Sequence, residues 1–185
     1  MTKRYDVDKN HSRIGFSAKH LAITTVRGQF NEFSGYVEGD PDSPASAKGE
    51  VTVDLGSVST NSEMRDNHLR SSDFFEAEKH PKMTWRLTGI EKTGDDTYEV
   101  QGDLTLKGVT RPITLEATLE GRIPDPFGGE ERIGVVATGS INRKDWGVNW
   151  EGVMGSVPVA SDTIKIEIEA ALVAKATERQ LQKAS

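Results

Sequence analysis

The 185-residue sequence contains no cysteine. This absence excludes disulfide bonds, thiolate catalysis and cysteine-ligated zinc, and it leaves the redox compartment open. No stretch reaches the roughly 18 consecutive apolar residues of a membrane-spanning helix, so we expect no stable insertion into a membrane. There is also no basic block, and the formal net charge is −6. This balance argues against a nucleic-acid partner, because nothing would neutralise the phosphates.

A secretory signal is also absent from the beginning of the sequence. Residues 1–8 include basic side chains with no apolar segment behind them, and charged and polar residues continue to Arg13. If the sequence is the full gene product, we expect a cytoplasmic protein. Charged residues make up 28% and hydrophobic residues 35%. This composition suits a single domain that buries one apolar face of each element and covers its outside with charge.

The dominant positive signal is an alternation of apolar and polar residues with a period of two, which is typical of half-buried β-strands. The parity changes between Phe30 and Phe33, which predicts a β-bulge or a tight bend. Eight stretches show the alternation, at residues 13–19, 26–37, 50–55, 83–87, 98–106, 113–120, 133–141 and 164–169. Eight antiparallel strands joined by hairpins favour an all-β fold that closes into an up-and-down barrel. A two-sheet sandwich is the alternative.

Two segments lack this alternation. Residues 56–81 separate the third and fourth predicted strands and are too long for a hairpin loop. Within them, Thr60 and Glu63 have the spacing of a helix capping box, which predicts a short helix that ends near Arg70. Residues 174–185 favour a helix without a wide apolar face. We therefore predict one domain over residues 1–173 and a helical or frayed tail over 174–185.

The insertion at 56–81 concentrates residues that could carry chemistry. One interpretation is a polar helix that caps the barrel, with a surface ion pair between Asp66 and Arg70. The other is a lid whose His68 and Arg65 meet the polar head of a ligand. A histidine beside a carboxylate permits acid–base chemistry. However, Ser71 lies outside any nucleophile motif and the histidines lack metal-ligand spacing, so we predict no catalytic or metal-binding residue.

Two further regions are candidates for a binding site. At residues 141–150, Arg143 either pairs with Asp145 in a structural turn against which Trp146 packs, or it places a cation near the barrel mouth for a phosphate or carboxylate. The barrel interior is either a packed core or a ligand cavity. Small residues interrupt its apolar rows and favour the cavity: Ala18, Gly28, Gly35, Gly102, Ala117, Ala137 and Gly139.

Several ordered motifs make the sequence similar to the YceI-like family over residues 5–173. They lie at residues 5–8, 11–16, 19–21, 26–30, 33–35, 65–75, 102–110 and 141–147. The resemblance implies an extended, lipocalin-like, eight-stranded barrel whose long pore binds polyisoprenoids or other amphiphilic molecules, often in a dimer. It also places Phe74 and Phe75 by the pore. Trp146 stands where a phenylalanine is expected, which predicts a narrower or shorter pore.

We therefore predict a protein that binds and carries or stores an amphiphilic isoprenoid lipid, such as an isoprenoid quinone or a polyprenyl phosphate. No resident cofactor is expected. The alternatives are an enzyme that uses His68 and Asp66 as an acid–base pair, and a barrel filled by its own side chains. The predicted ligand-binding residues are Phe16, His20, Phe30, Phe33, Val53, Arg65, Asp66, His68, Leu69, Phe74, Phe75, Trp85, Leu104, Leu115, Arg143, Asp145 and Trp146.

Overall fold

The computed structural model describes residues 1–175. Most of this part of the chain is β-strand, and one short α-helix, α1 (Glu63–Arg70), lies in the predicted insertion. The strands are β1 (Lys3–Val7), β2 (Arg13–His20), β3 (Thr24–Phe30), β4 (Phe33–Asp40), β5 (Ser43–Asp54), β6 (Val58–Ser59), β7 (Lys82–Lys92), β8 (Thr97–Leu106), β9 (Val109–Pro124), β10 (Glu131–Asn142), β11 (Val153–Met154), β12 (Val157–Pro158) and β13 (Ala160–Ala174).

The sheet closes on itself as an antiparallel barrel. Its ring runs β1, β4, β5, β7, β8, β9, β10 and β13, and β13 then pairs with β1 through Tyr5 opposite Ala174. Strand β13 also pairs with β2, which continues the line of β1 along the same edge. Each strand of the ring therefore pairs with a neighbour on both sides, as closure requires. The predicted eight-stranded barrel is confirmed and the sandwich is excluded.

The change of parity at Phe30 is a tight bend. Asn31 and Glu32 separate β3 from β4, so the single strand predicted at 26–37 is two strands that meet at an angle. Strand β3 pairs with β2, whereas β4 pairs with β1 and β5. The alternation did not predict β1, which carries too few apolar residues to show a period.

The predicted helix forms, but its cap is different. Ser62 is the N-cap residue, and its Oγ accepts a hydrogen bond from the backbone N–H of Arg65 at 3.4 Å. Thr60 is instead buried beneath the helix. The predicted ion pair between Asp66 and Arg70 is wrong, because Arg70 donates to the carbonyl oxygens of residues 56 and 58.

The chain ends of the barrel meet at one end, which we call the closed end. Strand β13 continues to Ala174, one residue beyond the predicted domain boundary, and Lys175 pairs with Asp6 at 2.8 Å. A small cluster that includes Tyr5, Ile133 and Ala174 fills the barrel here. The remainder of the predicted tail, residues 176–185, lies outside the described residues.

The larger apolar cluster lies at the opposite end, beneath α1, which we call the open end. Leu55 and Val58 are almost completely buried there, and Trp146 and Val148 pack with them. A third cluster, of Leu115, Ala117 and Ala137, lies in the wall between these two, and the space enclosed by the wall is not filled. No helix within residues 1–175 combines the length and apolarity needed to span a bilayer.

Candidate functional site

A single elongated cavity of about 460 Å³ occupies the barrel interior. Its lining runs from Val37 and Leu172 near the closed end to His20 and Trp150 at the open end. Ser161 and Leu172 of β13 both line it. At about 3.3 Å per residue along a strand tilted by roughly 40°, that interval corresponds to a pore about 28 Å long. The cavity is therefore long and narrow.

The pore walls are inward-facing apolar side chains that remain partly accessible. Ile164, Ile166 and Ile168 of β13 point inward with the expected period of two, yet they are only half-buried because they border the cavity. A packed core would bury such residues almost completely. The interior is thus a cavity, and the filled-barrel alternative is wrong.

The small inward residues are of two kinds. Ala18, Ala117 and Ala137 border the cavity and widen it, as predicted. The glycines do not. A Cβ at Gly102 would overlap the indole of Trp85, and a Cβ at Gly28 would overlap the ring of Phe16. These glycines therefore make room for a neighbouring aromatic ring and not for a ligand.

Three aromatic side chains, of His68, Phe74 and Trp150, cover the open end of the pore beside α1. The ring of His68 makes edge-on contacts with Phe74 at 5.0 Å and with Trp150 at 5.2 Å between centroids, and Phe74 and Trp150 lie 5.2 Å apart. Nε2 of His68 lies 2.7 Å from a carboxylate oxygen of Asp73. The predicted acid–base pair of His68 with Asp66 is therefore not formed.

Asp66 has a structural role instead. It is buried, and one carboxylate oxygen accepts hydrogen bonds from the N–H of Thr60 at 2.8 Å and from its hydroxyl at 2.6 Å. Arg65 donates from Nε to the Thr60 hydroxyl at 2.7 Å and from Nη2 to the Thr60 carbonyl at 2.8 Å. Together they fix the start of α1. Arg65 also borders the pore, whereas Asp66 does not.

Arg143 is buried at the open end, with all of its interactions inside the protein. Nη1 donates to the carbonyl of Val148 at 2.7 Å, Nε donates to the carbonyl of Ser161 at 3.1 Å, and Nη2 pairs with Asp162 at 3.0 Å. The predicted pairing with Asp145 is wrong. Arg143 ties the loop at 147–150 to β13 and thereby shapes the pore mouth, which it lines.

Asp145 and Trp146 lie outside the pore. The backbone carbonyl of Asp145 accepts a hydrogen bond from Nε of Arg111 at 2.7 Å, and its side chain is exposed. Trp146 is buried in the larger cluster, where Nε1 donates to the carbonyl of Leu104 at 3.0 Å. It therefore does not narrow the pore. Apart from Asp66, Asp145 and Trp146, every predicted ligand-binding residue borders the cavity.

The prediction missed residues of two kinds. The inward isoleucines of β13 belong to the clearest alternating row, so the sequence did contain their signal. Val148, Trp150 and Val159 line the mouth from glycine-rich loops that have no period. Within residues 1–175, no group of three or more His, Asp or Glu side chains is arranged to hold a metal ion.

Ion pairs occur at both ends of the barrel: Lys144 binds Glu151 at 2.6 Å and Asp162 at 3.3 Å near the mouth, and a larger group lies at the closed end. A hydrogen bond from Arg132, 2.8 Å long, holds the pKa of Asp8 below its usual value. Burial raises the pKa of Glu131, but hydrogen bonds from Arg122 and Tyr5 outweigh burial, so this pKa is also lowered. The closed end is thus cross-linked by paired charges.

Comparisons with known proteins agree with this architecture. The family model of the YceI-like domain matches residues 5–172. Protein YceI of Escherichia coli O17:K52:H18 is 43% identical over 146 residues, which cover 78% of this chain and 75% of the relative. The crystal structure of Campylobacter jejuni YceI superimposes with a TM-score of 0.74 at 34% identity, over 85% of this chain and 90% of that one. A polyisoprenoid binding domain from Saccharophagus degradans has the same fold, with a TM-score of 0.69 at 20% identity over 92% and 98% of the chains.

Proposed function

Because the chain belongs to the YceI-like family, we propose that it binds an amphiphilic isoprenoid lipid and carries or stores it with the tail inside the barrel. The observation that carries this proposal is the continuous apolar pore. The polyisoprenoid binding domain from Saccharophagus degradans, which shares the fold, supports this choice of ligand class. Both the family and the pore point to a binding protein.

The shape of the pore selects for a long tail. A lipid bilayer has a hydrocarbon core about 30 Å thick, so the chains of one leaflet reach about 15 Å. A pore about 28 Å long is nearly twice that length. Each methylene that enters it contributes about 0.8 kcal/mol, so a chain that fills the pore gains far more than an ordinary acyl chain. A polyprenyl tail has the required length.

The polar head is placed at the open end. Arg143 is buried, and each of its three nitrogens already donates to a protein oxygen, of Ser161, Val148 or Asp162. Arg65 lines the mouth and is exposed, and among residues 1–175 its Nη1 makes no hydrogen bond. We assign Arg65 the contact with a quinone carbonyl or a phosphate.

The first test is extraction of the freshly purified protein with organic solvent, followed by mass spectrometry against a mock purification. We expect a polyprenyl species in stoichiometric amount. If the extract is empty, the protein is offered isoprenoid quinones and polyprenyl phosphates. Failure to bind either would overturn the proposal.

A pair of variants on β13 separates pore binding from surface adsorption. Ile166→Asp places a carboxylate in the pore, where its desolvation by a bound tail is costly. Thr163→Asp places the same group on the exposed outer face of the same strand. We expect Ile166→Asp to lose lipid while Thr163→Asp retains it. Equal retention by both variants would contradict binding inside the barrel.

A further inference from the structure

Two neighbouring loops at the open end contain no charged residue. They comprise residues 20–25, which are the β2–β3 turn with the adjoining strand ends, and residues 152–161, which include the β11–β12 hairpin and the start of β13; we call them the uncharged rim. Elsewhere charge is frequent, at 28% of the chain. The rim exposes large apolar side chains: Ile23 is 80% exposed, Val153 66%, Met154 65% and Val157 38%. Surface loops are ordinarily polar, so this composition needs a reason.

The two loops form one surface beside the pore. The N–H of Leu21 donates to the carbonyl of Val159 at 3.1 Å, and Ala160 pairs with His20 in the barrel wall. The N–H of Val159 donates to the carbonyl of Gly152 at 2.8 Å, which anchors the β11–β12 hairpin. His20, Val159 and Ala160 also line the pore. The apolar tips therefore project from the edge of its mouth.

The backbone of the first loop is unfavourable for the residues that occupy it. Leu21 and Ala22 have φ values of 50° and 60°, and the N–H of Ile23 donates to the carbonyl of His20 at 3.2 Å. This is a hairpin turn whose two central residues are left-handed, a position where Asn-Gly is strongly preferred. Leu21 and Ala22 occupy these two positions although the left-handed conformation is strained for both residues. Turn formation therefore does not explain why the residues here are apolar.

We propose that the uncharged rim is a membrane-contacting surface, through which a lipid passes between a bilayer and the pore. The occupant of this surface is the apolar interface of a neutral bilayer. The identity of the transferred lipid rests on the proposed function, but contact with the bilayer does not. Met64 of α1 is also 84% exposed, on the helix that carries the pore residues Arg65 and His68.

The rim suits a bilayer better than a second copy of the chain. A stable protein interface buries about 800 Å² and 20–30 residues on each partner. The rim offers only four large exposed side chains, without charges that would fix an orientation. A copy docked face to face would also seal the pore mouth. Insertion of a few apolar side chains into a lipid interface requires neither a large area nor a fixed partner orientation.

The charge distribution determines which bilayer is contacted. The chain carries a net charge of −6, so anionic lipids repel it at long range. The rim itself contributes no Coulomb attraction. Binding therefore rests on apolar partitioning, and we expect it to depend weakly on salt and to fall when anionic lipid is added.

The test is flotation of the full chain with phosphatidylcholine vesicles that contain no isoprenoid. The rim variant is Ile23→Ser with Met154→Ser. The control is Ile123→Ser with Phe127→Ser, which removes two side chains that are 54% and 78% exposed outside the rim. We expect the native protein and the control to float, and the rim variant to partition at least about tenfold more weakly, because it lacks two of the four large apolar side chains that enter the lipid.

Three outcomes would overturn the proposal. In the first, the native protein remains with the soluble fraction at millimolar lipid. In the second, the rim variant and the control variant float equally. In the third, light scattering would show a dimer that dissociates in the rim variant while no form floats, so the rim would be an interface between copies. Lipid extraction is measured separately on the same variants. If the rim variant neither floats nor loads lipid while the control does both, the proposal is supported. A rim variant that loads as much lipid as the control without floating would contradict passage through the rim, whereas flotation of a protein that binds no isoprenoid would contradict only the proposed function.

Discussion

The substitution Ala137→Phe should shorten the pore. Ala137 is buried in β10, borders the cavity, and lies opposite Ala117 on one side and Ile168 on the other. A phenyl ring at this level would cross the pore where its walls carry two alanines. The part between the open end and Ile168 would remain accessible, and the part beyond it, towards Leu172, would be cut off.

The size of the effect follows from the length lost. Four residues of β13, from Ile168 to Leu172, correspond to roughly 10 Å of pore. At about 1.3 Å per carbon of an extended chain, this is about eight carbons. Their full burial would contribute about 6 kcal/mol at 0.8 kcal/mol per methylene. Because a displaced chain end can partly fold back, we expect about half of that, which is roughly a hundredfold weaker binding.

The assay is titration with polyprenyl ligands of increasing chain length. Short ligands fit between Ser161 and Ile168, a distance of roughly 18 Å along the pore, and should bind Ala137→Phe as they bind the native protein. Long ligands should lose affinity. Thr138→Phe is the matched control, since it adds the same ring on the exposed face of the same strand. An equal loss at every length would indicate general damage to packing, and no loss at any length would show that the tail does not reach this level.

Two further predictions concern stability. Gly102→Ala should lower the free energy of unfolding, measured by urea titration, by about 1–3 kcal/mol, because the new Cβ overlaps the indole of Trp85. The control is Gly121→Ala, whose new Cβ would have no atom within 4 Å and which should be nearly neutral in the same titration. Acidification should destabilise the barrel. Arg132 lowers the pKa of Asp8 in the folded state, so the stabilisation is present above the unfolded pKa and is lost as pH falls from about 5 through the folded pKa. Arg132→Gln should flatten this dependence, and an unchanged slope of unfolding midpoint against pH would refute the assignment.

The barrel was predictable because the alternation of apolar and polar residues identifies the strands, and the need to pair their edges then favours a closed sheet. Most long strands carry at least three inward apolar residues, enough to reveal a period, and eight strands leave few ways to pair every edge. Strand β1 escaped because only Tyr5 and Val7 mark its inward face. The N-cap of α1 was misassigned because Thr60 and Ser62 are both suitable cap residues, and only the fold buries Thr60 against Asp66.

The candidate site was predictable where it follows the strand period or lies in the insertion at 56–81, whose Phe74 and Phe75 also line the pore. Phe16, Val53 and Leu115 were found as inward residues and do line the pore. Arg143 could not be interpreted from the sequence, because its partners Val148 and Ser161 bind through backbone carbonyls, which no side-chain pattern reveals. The glycines were misinterpreted for a related reason: whether a missing side chain leaves a void depends on the side chain of the adjacent strand, such as Phe16 beside Gly28 or Leu115 beside Gly139.

The closed end of the barrel stabilises the fold, and the open end is where lipid enters and leaves the pore. At the closed end, Arg132 binds Asp8 at 2.8 Å and Asp125 at 3.0 Å, and Lys3 pairs with Glu130 at 3.2 Å, so strands distant in sequence are cross-linked around a packed cluster. These pairs are mostly shielded from solvent, since the side chains of Arg132 and Asp125 are 17% and 3% exposed, and breaking one would leave a charge buried without a partner. The open end has an uncharged rim beside the pore mouth. A barrel with this asymmetry has one favourable orientation at a bilayer, with the charged end in solution and the mouth against the lipid. A tail could then enter the pore without crossing water, which removes the main barrier to transfer of a long apolar chain.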